Sequence, residues 1–96
     1  MSPEPVDVTC DRAAFGWTCR VLVGDPSDGS RPTEHEVGVS YADLERLAPG
    51  ATEPHDIVRR SFAFLLRREP RESILRRFEL PLIGRYFPEY EASIKR

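Results

Sequence analysis

HEVGVSYADLERLAPG, residues 35–50, changes its hydrophobic period at Ser40, and that change decides the fold class. Up to Ser40, His35, Val37 and Val39 alternate with Glu34, Glu36 and Gly38, the period of two expected of a half-buried strand. Beyond it, Leu44 and Leu47 supply one face of a helix, and Pro49 with Gly50 ends it after about two turns. Ser40 has the chemistry of the cap between them. Its hydroxyl can accept from the amide three residues on, where Asp43 can return a bond to the amide of Ser40.

Towards the N-terminus the same reading finds more strand. Trp17, Cys19, Val21 and Val23 alternate with Thr18, Arg20 and Leu22 in a run rich in β-formers, and Gly16 marks a bend before it. Val6, Val8 and Cys10 alternate with Asp7, Thr9 and Asp11, a shorter first strand. DPSDGSRPT, residues 25–33, is dense in turn formers and reads as an exposed loop. No crossover helix fits there, so the flanking strands form a long-looped antiparallel hairpin.

Towards the C-terminus prolines punctuate helices. Thr52 is placed to cap a second helix, with Glu53 and Pro54 in its first turn, running to about Glu69. Pro70 can open a third helix over 71–78, and Pro81 and Pro88 divide LIGRYF and EYEASIKR into pieces of one or two turns. The order predicts an α+β fold: a small antiparallel sheet of two or three N-terminal strands, followed by three or more helices packed on one face. Ninety-six residues suit a single domain, with strands and hairpin in about 1–40 and helices in 41–96.

Charge is distributed unevenly. Residues 1–58 hold four arginines against eleven acids, a net of −7, whereas residues 59–77 hold seven arginines against two acids, a net of +5; the whole chain carries −2. Laid on a helix from Ile57, the apolar residues of 57–66 fill an arc from about −20° to about 180°, with Arg59, Arg60 and Arg67 opposite. On the expected third helix Ile74, Leu75 and Phe78 face inward and Arg76 and Arg77 outward. Two arginines break the pattern: Arg68 and Arg71, either side of Pro70, fall within the apolar arcs. Asp56 with Arg60 and Glu72 with Arg76 have the favourable i,i+4 order. Arg59, Arg67, Arg68, Arg71 and Arg77 are left without a local partner and form the candidate binding set.

Little else in the sequence carries chemistry. There is no G-x-S-x-G elbow, Walker loop or G-x-G-x-x-G, so no catalytic residue and no cofactor is assigned. Cys10, Cys19, His35 and His55 match no compact zinc pattern, and no metal is assigned either. Two cysteines without C-x-x-C spacing, behind a start (MSPEPVDV) with no signal-peptide pattern, read as reduced apolar side chains of a cytoplasmic protein. No apolar run approaches the ~18 residues of a membrane span. The aromatic residues of RYFPEYEASI, Tyr86, Phe87 and Tyr90, read as closing the core.

HEVGVSYADLERLAPG, followed by SFAFLLRREPRESILRRFELPLIGRYFPEY, resembles short bacterial proteins of uncharacterised activity. The resemblance implies a bacterial origin and transfers no site residue or partner. The function expected is non-catalytic binding of a macromolecule, foremost an acidic protein surface, through the arginine-rich helical face. Nucleic acid or a phosphorylated ligand is the alternative, nucleic acid being disfavoured by a pI of about 5.7. An enzyme without a linear motif ranks lower, and the sheet edges make a homodimer an option.

Overall fold

The computed structural model describes residues 4–25, 27, 29 and 31–95, so parts of the 25–33 loop (Pro26, Asp28 and Ser30) lie outside the described residues. β1 (Val6–Ala13), β2 (Gly16–Val23) and β3 (Thr33–Ser40) form an antiparallel meander. Ser40 caps α1 (Tyr41–Leu47) as the sequence predicts: the Asp43 amide donates to Ser40 Oγ at 3.0 Å, and the Ser40 amide donates to Asp43 Oδ2 at 3.3 Å. α2 (His55–Leu66) is the main core helix, burying Ile57, Val58, Phe62, Phe64 and Leu65. It is shorter than predicted at both ends. Pro54, not Thr52, precedes its first turn, and the chain leaves the helix at Arg67.

The main departure from expectation lies after Pro70. In place of a third helix over 71–78 there is one 3-10 turn, Arg71–Ser73, followed by a short strand β4 (Arg77–Glu79). β4 lies parallel to β3, with Val37 opposite Phe78, so the sheet is four-stranded and mixed, in the order β1-β2-β3-β4. The apolar residues fit both periods, and sheet pairing wins. Phe78 and Leu80 are buried while Arg77 and Glu79 between and beside them are exposed, the alternation of a strand. Leu75, inward on the helical reading, is 46% exposed. The edge of β3 supplies the backbone partners: the Glu36 amide donates to Arg76 O at 2.7 Å, and the Leu80 amide donates to Gly38 O at 2.9 Å. With the third helix goes the Glu72–Arg76 pair, and Glu72 bonds Arg71 instead. The Asp56–Arg60 pair is present at 3.9 Å. The chain closes with α3 (Leu82–Tyr86) and α4 (Tyr90–Ile94), as LIGRYF and EYEASIKR suggest.

One face of the sheet is buried. Val8, Trp17, Cys19, Val21, Val23, Val37, Val39, Phe78 and Leu80 join the apolar residues of the helices in a single core. Thr9, Asp11, Thr18, Arg20, Glu34, Glu36 and Arg77, pointing the other way, are exposed.

The cysteines overturn a second expectation. β1 and β2 turn over Ala14 and Phe15, which places Cys10 directly opposite Cys19, and the two form a disulfide with Cα atoms 4.0 Å apart. Reduced thiols were expected because linear spacing says nothing of a hairpin whose turn lacks glycine or asparagine. We predict that the Cys10→Ala/Cys19→Ala chain unfolds with about 2–4 kcal/mol less stability than the oxidised protein. In urea titrations, reductant should lower the midpoint of the natural chain and leave that of the variant unmoved; a natural chain indifferent to reductant contradicts the bond.

Candidate functional site

The candidate arginines do not form one site. Arg71 is largely buried, its side chain 11% exposed, and ties three separate segments together. Its guanidinium reaches Glu4 at 2.9 Å and Glu72 at 3.2 Å, and donates to the carbonyl oxygens of Val23 at 3.3 Å and Arg31 at 3.4 Å. Gly24 lies against it with φ +123, and a Cβ there would collide with the Arg71 guanidinium. Arg68 turns to a different neighbourhood. Its guanidinium sits 3.6 Å from the centre of the Phe64 ring, donates to Phe64 O at 3.1 Å and meets Glu89 at 3.2 Å. The Glu89 carboxyl is held below the usual carboxylate range by its own backbone amide first and by Arg68 second.

Both residues that amphipathicity left unexplained are therefore occupied by partners within the chain. Arg77 is exposed and pairs with Glu36 at 3.4 Å across β3–β4. Arg59 and Arg67 are exposed, and neither makes an ion pair among the described residues. The predicted set thus divides into two internal ties, one sheet-face pair and two separate surface cations.

Where the sequence reading expected a third helix, the structure holds a cleft. Its volume is about 300 Å³, and it opens between the C-terminal end of α2, the segment leading into β4, and α3. Leu65, Ile74, Phe78, Leu82, Ile83 and Phe87 form its apolar floor and walls, Glu69 and Ser73 contribute polar groups, and Leu75 and Tyr86 stand on it at 46% and 66% exposure. Of the three C-terminal aromatics assigned to the core, Tyr90 is fully buried, Phe87 packs partly against the core, and Tyr86 is exposed. Arg76 follows Leu75 and Arg85 precedes Tyr86. Both arginines are exposed, and neither makes an ion pair among the described residues.

His35 fixes one wall of this cleft. The sequence reading left it on the strand surface, but it is 2% exposed, with its ring 5.3 Å from that of Phe62. Nδ1 lies 2.8 Å from Leu75 O and Nε2 lies 2.9 Å from Thr33 Oγ1. A neutral ring satisfies both: Nδ1–H donates to the Leu75 carbonyl, and Nε2 accepts from the Thr33 hydroxyl. Burial pushes its pKa below the ordinary 6.5, the Leu75 carbonyl pulls it back up, and Arg76 adds to the lowering. Nothing in the local sequence announces this bond, which joins residues forty positions apart.

Two further polar arrangements are structural. Ser61 Oγ donates to Ile57 O at 2.6 Å, leaving its lone pairs to accept from Tyr90 OH at 2.7 Å. Burial raises the Tyr90 hydroxyl to about 12, so it stays protonated. On the open face of the sheet Arg20 pairs with Glu34 at 3.2 Å, beside the Arg77–Glu36 pair. The disulfide withdraws both thiolates from any metal site shared with His35 and His55. Among the described residues no helix is long and apolar enough to cross a membrane.

Comparison with family models, curated proteins and solved structures finds no match to the chain. None of these comparisons supports the resemblance to short bacterial proteins expected from residues 35–50 and 61–90.

The His35 geometry sets a pH dependence. Its folded pKa is lowered, so the unfolded chain binds the proton more readily; stability is complete above about 6.5 and falls as the pH drops below that value. We expect urea midpoints of the natural chain to fall between about pH 7 and pH 5.5, a window above that of the carboxylates, and His35→Gln to flatten the slope. A natural chain with no slope there overturns the assignment of a neutral buried ring.

Proposed function

We propose that the protein is a non-catalytic binding module that takes an apolar side chain of an acidic protein segment into the cleft between α2 and α3. The observation that carries this reading is the apolar cleft itself with two exposed apolar side chains, Leu75 and Tyr86, in its lining; their sequence neighbours Arg76 and Arg85 are exposed basic groups. Exposed large apolar residues around a concavity are characteristic of docking sites. Aromatic side chains mixed with arginine are the composition of interface hot spots. The acidic partner expected from the sequence is kept, but the arginines proposed to serve it change from Arg59, Arg67, Arg68, Arg71 and Arg77 to Arg76 and Arg85.

Nucleic acid is the less favoured partner. Arg68, Arg71 and Arg77 are committed to carboxylates, which leaves no continuous basic track for a phosphate backbone. The disulfide supports residence in an oxidising compartment and counts against the cytoplasmic location expected from the sequence.

Selection from a random-peptide display library tests the reading without a known partner. Enriched peptides should carry one large apolar residue within an acidic stretch. Leu75→Asp should weaken their binding tenfold or more, and Arg76→Glu with Arg85→Glu should weaken it further while reducing its salt dependence. Failure to enrich any peptide, or enrichment that Leu75→Asp leaves intact, refutes it. Salt-sensitive binding to mixed DNA and RNA would move the assignment to the nucleic-acid reading.

A further inference from the structure

The two edges of the sheet are unequal. β4 offers three residues, whereas β1 offers eight. The Cα separation of 4.0 Å between Cys10 and Cys19 marks them as a pair that does not exchange backbone hydrogen bonds. The Gly24 amide donating to Pro5 O at 3.0 Å fits the same alternation. Odd-numbered residues of β1 therefore turn their amides and carbonyls to β2, and Val6, Val8, Cys10 and Arg12 turn theirs out of the sheet. Among the described residues those outward groups have no hydrogen-bond partner.

Sheet edges in natural proteins are blunted by brevity, proline, lysine or a bulge. β1, with the sequence VDVTCDRA, is eight residues long and has no proline, lysine or bulge; its charges are Asp7, Asp11 and Arg12. Its register with β2 runs unbroken from Val6 opposite Val23 to Ala13 opposite Gly16, and the disulfide pins its middle. The result is an unbulged row of outward donors and acceptors.

We propose that β1 pairs antiparallel with β1 of a second copy about a two-fold axis at Cys10, joining two four-stranded sheets into one of eight strands. A two-fold axis normal to the sheet keeps matching faces together, so only registers that oppose residues of the same face are allowed. With the axis at Cys10, the outward-turned Val8, Cys10 and Arg12 of each strand meet Arg12, Cys10 and Val8 of the other, giving about six backbone hydrogen bonds. On the open face Thr9 meets Asp11 and Asp7 meets Ala13, so no like charges stand directly opposite. Moving the axis to Thr9 sets Asp7 against Asp11 twice, and moving it to Asp11 sets Asp11 against its own copy. Charge thus disfavours both neighbouring registers, because like charges directly opposite destabilise a pair.

Sedimentation equilibrium of the oxidised full chain, with two opposite substitutions at exposed Thr9, tests the proposal. The natural chain should show a concentration-dependent monomer–dimer equilibrium. Thr9→Asp places carboxylates opposite Asp11 at two positions and should weaken the dimer by about tenfold; Thr9→Lys places ammonium groups there and should tighten it by a similar factor. Within one chain Thr9 lies opposite Arg20, so the two substitutions act on monomer stability in the reverse sense, and circular dichroism shows that both still fold. A natural chain monomeric at every concentration overturns the proposal. So does a dimer weakened by both substitutions, the outcome expected if Thr9 faces its own copy.

Discussion

The parallel pairing of β4 with β3 is the constraint on which the C-terminal half depends. Two backbone bonds, from the Glu36 amide to Arg76 O and from the Leu80 amide to Gly38 O, fix the chain after Pro70 to the sheet, and the His35–Leu75 bond extends the attachment by one residue pair. Since these residues enter extended, Phe78 and Leu80 drop into the core while Leu75 stays outside. A helix over the same residues would have turned Leu75 inward. The cleft exists because the strand leaves a gap between α2 and α3 that no helix fills.

Arginine in this protein is chiefly a construction material. Arg71 closes the seam between the chain start, the end of β2 and the 3-10 turn, and Arg68 binds the end of α2 to the segment before α4. Each satisfies carbonyl oxygens at an element end as well as a carboxylate, a task the planar five-donor guanidinium suits better than an ammonium group. Such ties withdraw Arg68 and Arg71 from any partner, and the net charge of residues 59–77 overstates what a partner meets.

Much of this was legible in the sequence. The change of period at Ser40 and the Ser40–Asp43 capping box gave strand and helix correctly because both are local. What failed was non-local. Ile74 and Phe78 satisfy a helical spacing and a strand spacing alike, and only the free edge of β3 decides between them. Ala14 and Phe15 carry no turn signature, so the hairpin that brings Cys10 to Cys19 could not be placed from composition. The alternation groups His35 with Val37 and Val39, yet the sequence reading left it on the surface, because its burial depends on Leu75 arriving from forty residues away. Of the five candidate arginines, none lines the cleft, whose lining residues come from segments that only the tertiary fold brings together.

The β3–β4 pairing is tested most directly by amide hydrogen exchange followed by NMR. The account predicts that the Glu36 and Leu80 amides are protected to a degree comparable with the central β2–β3 amides, and that Cα shifts over 77–79 are those of a strand. Rapid exchange at both amides, or helical shifts running through 71–78, would contradict it and remove the basis of the cleft.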